Sequence, residues 1–158
     1  EKEPIFILPF RFNLKQTITS FIELITMKTA DENKTKKLKI LIAEDDHNSY
    51  LLLTAFLDDI CTEILHAITG VEAVELCRIN PDIDLILMDV KMPEMNGYEA
   101  TRQIRQFNDK VIIIAQSAYA LTREINRALQ DGQCNAYLTK PIIKEELMDL
   151  IDLYFFDN

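Results

Sequence analysis

The chain has no tryptophan and only three glycines, and its three cysteines, Cys61, Cys77 and Cys134, form no C-x-x-C pair. An odd number of widely spaced cysteines points to reduced core or surface thiols in a cytoplasmic protein, with a redox role as the alternative. The missing tryptophan removes the indole signal as a reporter of metal binding, leaving NMR or calorimetry. No apolar run approaches the roughly 20 residues of a membrane span, so no membrane insertion is expected. Phe6 to Phe10 is too short for a signal peptide, is interrupted by Pro9 and lacks a small-residue cleavage site. Positive charge is also scarce: 17 Lys and Arg face 26 Asp and Glu, a net charge of -9. That balance weighs against bulk attraction to DNA, RNA or anionic lipid and leaves only a local basic patch open.

What is present is apolar residues, 48% of the 158, enough to exclude disorder throughout and to build one domain-sized core without disulfides. Thr29 to Lys37 is polar, without an apolar anchor, and reads as a linker. It divides residues 1–36, an N-terminal extension, from a globular part over 37–158. Beyond it, strand-like runs at Leu38 to Ala43, Glu63 to Ala67, Ile83 to Met88, Val111 to Ala115 and Ala136 to Thr139 alternate with helical spacing. The first, third and fourth are almost continuously apolar, as parallel strands covered on both faces require. Leu53, Phe56, Leu57 and Ile60 fall at i, i+3, i+4 and i+7, and Leu147, Leu150, Ile151 and Tyr154 repeat that pattern. Leu121, Ile125, Ala128 and Leu129 form another stripe; Ala100, Ile104 and Phe107 a weaker one; Ala73, Leu76 and Cys77 the weakest. Five strand-helix units imply a doubly wound α/β sandwich with right-handed crossovers. No internal repeat is visible.

Three of these runs end in charge: Glu44-Asp45 after the first strand, Asp89 after the third and Lys140-Pro141 after the fifth. The carboxyl ends of parallel strands are where open sheets build their binding crevice. Two carboxylates about 4 Å apart repel by roughly 4 kcal/mol at an effective dielectric of 20, so converging acids call for a cation. Carboxylates with room for water suit Mg²⁺, which can neutralise charge in phosphoryl transfer, with Lys140 as a second positive charge. On these residues alone the other reading stands equally: Glu44 and Asp45 merely begin the next helix, where acids complement the dipole.

Lys37 to Tyr154 resembles a response regulator receiver domain. The resemblance is carried by I-L-I-A-E-D-D at Ile40 to Asp46, T-G-V-E-A at Thr69 to Ala73 and D-L-I-L-M-D-V-K-M-P-E-M-N-G at Asp84 to Gly97. I-I-A-Q-S-A at Ile113 to Ala118 and A-Y-L-T-K-P at Ala136 to Pro141 complete it. It implies a flavodoxin-like, five-stranded parallel sheet of order 2-1-3-4-5 with helices on both faces. It further implies that Asp89 accepts a phosphoryl group from a partner's phosphohistidine. Asp45, Asp89 and the backbone carbonyl of Lys91 would hold Mg²⁺, or Mn²⁺ as an alternative, with Glu44 acting directly or through water. Lys140 would pair with the phosphoryl oxygens across a cis bond to Pro141, Ser117 would donate its hydroxyl, and Tyr137 would be the switch aromatic. Lys91 and Tyr119 would flank the approach of hydrolytic water and slow phosphoryl loss. The partners implied are a histidine kinase or phosphotransfer protein and a downstream effector or upstream kinase domain, with a homodimer as an option.

Each position has a plainer reading. Asp89 could be a turn residue before Pro93 and Gly97, Lys140 a solvated lysine, Ser117 a loop hydroxyl and Tyr137 a packed aromatic. Asp46 and His47 read as the start of a solvent-facing helix, His66 as half-buried strand, and Met92 and Met95 as loop packing. Ile5 to Phe10 resembles the closing strand of a histidine kinase ATP-binding domain, which would make the chain part of a hybrid kinase. Ile18, Phe21, Ile22 and Ile25 could form one face of a short helix. With no DNA-binding segment after the last helix, output is expected in another protein or an upstream portion of the same one. It would act through the face of the fourth helix, fifth strand and last helix.

A rival from another class is a Mg-dependent phosphatase of the haloacid-dehalogenase type, which also uses an aspartyl nucleophile. Its D-x-D follows the first strand, whereas here that strand ends E-D-D and the isolated Asp89 follows the third. A receiver-like scaffold without phosphorylation is a third class, disfavoured because every chemical position is filled.

Overall fold

The computed structural model describes residues 37–118 and 133–156. The extension 1–36, Tyr119 and the stripe from Leu121 to Leu129 lie outside these residues. Within them, five strands form one parallel sheet: β1 (Leu38–Ala43), β2 (Cys61–Ala67), β3 (Leu85–Asp89), β4 (Ile112–Ser117) and β5 (Ala136–Thr139). Their order is β2-β1-β3-β4-β5. Four helices are described: α1 (His47–Leu57), α2 (Gly70–Ile79), α3 (Gly97–Arg105) and α4 (Lys144–Phe155).

Alternation along the central strands sorts the core into two layers. Leu41, Ala43, Ile86, Met88, Ile113 and Ala115 face one way and meet Ala73, Val74 and Cys77 of α2 and Ala100 and Ile104 of α3. Ile40, Ile42, Leu85, Leu87, Ile114 and Leu138 face the other way, against Leu53 and Leu57 of α1 and Leu147 and Ile151 of α4. Each buried Leu or Ile contributes about 1.5–3 kcal/mol from water exclusion, which is why the nearly unbroken apolar runs occupy the sheet centre. The weak stripe of Ala73 and Cys77 proves a true helix face because the small side chains let α2 lie close to the sheet.

Several boundaries differ from the sequence expectation, each for a physical reason. β2 starts two residues earlier, at Cys61, because an edge strand tolerates the exposed Thr62 and Glu63. β4 runs on through the polar but buried Gln116 and Ser117, so Ser117 ends a strand and is not a loop residue. β3 occupies Leu85–Asp89, placing the acceptor candidate as its last residue. Ile60 and Phe107 lie beyond their helices; Phe107 is 39% exposed and carries the Arg78 guanidinium 4.5 Å above its ring.

Helix starts are set by side-chain caps. Asp46, Thr69 and Asn96 accept the backbone N–H of Ser49, Glu72 and Glu99 at 2.8, 3.1 and 2.9 Å, satisfying donors the first helical turn leaves open. Two glycines bring loops close to the sheet's carboxyl edge. A Cβ at Gly70 would sit 2.2 Å from the Met95 carbonyl oxygen, and one at Gly97 would sit 2.1 Å from that of Asp89.

Candidate functional site

Strand register brings the charged residues level. Ala43 pairs with Met88, so Glu44 and Asp89, the next residue of each strand, emerge side by side. Ser117 pairs with Thr139, so Lys140 follows directly, and its N–H donates to the Ser117 carbonyl at 2.8 Å. The Lys140-Pro141 bond is cis.

The Lys140 ammonium donates to Glu44 Oε2 at 2.6 Å and to Asp89 Oδ2 at 2.7 Å. Glu44 and Asp89 are buried, with side chains 1% and 6% exposed, while Lys140 keeps 23% of its own surface. Asp45 is exposed beside them, and one carboxylate oxygen from each acid lies within 4.8 Å of the others. Glu44 therefore does not begin the next helix. That task falls to Asp46, whose carboxyl is held below its ordinary range, chiefly by the Ser49 N–H.

Burial pushes the Glu44 carboxyl up and neighbouring Asp89 adds to this, against the pull of Lys140. Burial also opposes the charged form of Lys140, but its bonds to Asp89 and Glu44 prevail and hold it above its ordinary value. The remaining Asp89 oxygen, Oδ1, accepts the Lys91 N–H at 3.0 Å. Ser117 is buried next to the cluster, and the Tyr137 hydroxyl, half-buried on β5, donates to its carbonyl at 3.4 Å.

One support was not anticipated. His66 stacks on Tyr50, ring centroids 3.7 Å apart, and its Nε2 lies 2.9 Å from the Glu44 carbonyl oxygen. A carbonyl only accepts, so Nε2 carries the proton. The sequence offered only a half-buried strand histidine, because its partner is 22 residues away. His47 is exposed, and Met92 and Met95 pack partly buried against the core, both as expected.

The donor set fits a hard divalent cation. Three carboxylates against one ammonium leave the cluster doubly negative, and Asp45 opens it to solvent, where a cation that keeps its waters can enter. The group that a cation and Lys140 would jointly attract is a phosphoryl oxygen.

Residues 40–152 match the family model of the response regulator receiver domain. The chain is 32% identical over 118 residues to the sensor histidine kinase GacS of Pseudomonas protegens, covering 72% of this chain and 13% of that kinase. It therefore spans only a small part of the sensor kinases it matches. It is 31% identical over 120 residues to the polar-differentiation response regulator DivK of Brucella ovis, covering 75% of this chain and 96% of DivK. Among solved structures, the receiver domain of a sensor histidine kinase from Pseudomonas aeruginosa superposes with a TM-score of 0.65. It is 32% identical, covers 75% of this chain and 97% of its own, and holds a magnesium ion in its active-site cleft.

Proposed function

This chain belongs to the response regulator receiver family of two-component phosphorelays, and on that premise we propose that Asp89 is its phosphoacceptor. The observation that carries this reading is the Lys140 ammonium bridging two buried carboxylates at the ends of β1 and β3. Nothing in fold stability calls for such a pair, since apolar residues of similar volume are often equally stabilising. A carboxylate oxygen of Asp89 attacks the phosphorus of a phosphohistidine; the P–O bond forms, the P–N bond breaks and the electron pair leaves on the imidazole. The Lys91 N–H orients the acceptor through Oδ1. Lys140 exchanges its carboxylate contacts for phosphoryl oxygens, and the Ser117 hydroxyl donates to the same group. Asp45, Asp89, the Lys91 carbonyl and Glu44 would hold Mg²⁺, which when bound neutralises charge on the phosphoryl oxygens.

Tyr137 acts as the switch aromatic: its hydroxyl tracks the Ser117 carbonyl, so movement of Ser117 towards a phosphoryl group biases the ring and with it a partner-facing surface. The phosphodonor is a histidine kinase or phosphotransfer protein, and the chain works in the cytoplasm as a phosphorylated module, not as a turnover enzyme. Among the described residues no helix is long and apolar enough to cross a membrane. The aspartyl phosphatase reading finds no support in the family comparison.

Likeness to sensor kinases favours a second context, in which residues 1–36 are the end of a kinase ATP-binding domain and 37–158 its attached receiver. The central test is intact-mass analysis after incubation with Mg²⁺ and a small acyl phosphate. Wild type should gain one phosphoryl group and Asp89→Asn none; equal labelling of both would place the acceptor elsewhere. Continuous turnover of a generic phosphate ester would restore the enzyme reading.

A further inference from the structure

Gln116 has no part in the phosphoryl chemistry. It is fully buried on β4, yet among the described residues neither its Oε1 nor its Nε2 has a hydrogen-bond partner. Leaving a buried donor and acceptor unmade is destabilising, and an aliphatic side chain of similar volume would avoid the penalty. Gln116 forms part of a cleft of about 360 Å³ between α1 and the segment after β5. Its other walls are Ser49, Leu52, Leu53, Pro141, Ile142 and Lys140, whose ammonium is already engaged by Glu44 and Asp89.

Size, largely apolar walls and a few polar groups are the attributes of a small-molecule site. Of the three polar residues here, Ser49 is bonded to Asp46 and Lys140 to Glu44 and Asp89, which leaves the Gln116 amide. An amide offers both a donor and an acceptor, and its best complement is another amide. The terminal torsion of glutamine is soft, so the group can turn to meet a ligand. A charged ligand has no free counter-charge here. We propose that this cleft binds a small neutral molecule with a carboxamide head and a flat apolar body. The head exchanges hydrogen bonds with Gln116, and the body lies against Leu52, Leu53 and Ile142. Lys140 borders both cleft and acceptor, so occupancy alters phosphorylation and phosphorylation alters affinity by the same factor. That coupling rests on the acceptor role of Asp89; binding does not.

The test is an NMR titration of the whole chain with benzamide, following the Gln116 side-chain amide signals, with methyl benzoate as a control lacking the donor. Benzamide should shift those signals and bind at least tenfold more tightly than methyl benzoate. Gln116→Leu, and Leu52→Trp at the mouth of the cleft, should each weaken it at least tenfold. No shift up to the solubility limit means that the cleft takes water only, and the proposal fails. Undiminished binding to Gln116→Leu overturns it equally. A benzamide affinity unchanged by phosphorylation of Asp89 removes the coupling.

Discussion

Replacing Lys140 by Met keeps a flexible stem of similar reach and deletes the ammonium between Glu44 and Asp89. The two acids are then left almost wholly buried, their ligand oxygens within 4.8 Å, with no cation among the described residues bonded to either. Two unit charges at that separation repel by roughly 3.5 kcal/mol at an effective dielectric of about 20. Breaking a fully buried ion pair costs about 3–5 kcal/mol, but water reaches Lys140, and one carboxyl can take up a proton, so the expected loss is about 2–3 kcal/mol. The assay is urea unfolding followed by far-UV circular dichroism in EDTA near neutral pH. Adding Glu44→Gln to Lys140→Met removes one of the two charges and should recover at least half of the loss. Millimolar Mg²⁺ should stabilise Lys140→Met more than wild type, because the cation meets the acids without a competitor. A Lys140→Met protein within about 0.5 kcal/mol of wild type in EDTA, set against the values above, would refute the electrostatic account. So would a Glu44→Gln change that deepens the loss.

Three further outcomes follow from the same geometry. Gly97→Ala drives a methyl against the Asp89 carbonyl oxygen, so it should destabilise by about 1–3 kcal/mol and slow phosphoryl uptake at Asp89; normal uptake and stability would show that the loop yields freely. Because burial raises the Glu44 carboxyl, its protonated form is favoured by folding. The Glu44 contribution to metal-free stability should therefore grow as pH falls through its raised titration and level off below its ordinary value of 4.5, while Mg²⁺ affinity declines over the same window. Calorimetry across a pH series should show both trends in wild type and neither in Glu44→Gln. Burial pushes the Cys134 thiol up to about 11, and Cys77 is raised by the same cause, so a thiol reagent in mildly alkaline buffer should label half-buried Cys61 alone in the native protein and all three cysteines in urea. Native labelling of Cys134 at the rate of Cys61 would contradict its burial.

The architecture was legible from sequence where burial is symmetric. β1 and β3 are covered on both faces, which is what their nearly unbroken apolar runs indicated, and Asp46, read as a helix start, caps α1 through a local bond spanning three residues; the equivalent caps Thr69 and Asn96 were passed over although their bonds are as local. Legibility failed where local chemistry and environment part. Gln116 and Ser117 look like loop residues but end a buried strand, and Cys61 and Thr62 begin an edge strand that the sequence showed only from Glu63. Sheet order came from family motifs, since apolar runs do not say which strands are neighbours.

Sequence alone determined the elements and the acids, hydroxyl and lysine available at their ends, because periodicity, capping and composition act over a few residues. Tertiary structure decided which of them meet. Glu44 and Lys140 are 96 positions apart, and only parallel register through β1, β3, β4 and β5 sets the ammonium against Glu44 and Asp89, as the register of β1 with β2 sets the His66 imidazole against the Glu44 carbonyl. Contact energies of that kind depend on distances within a few ångströms, which no spacing along the chain encodes.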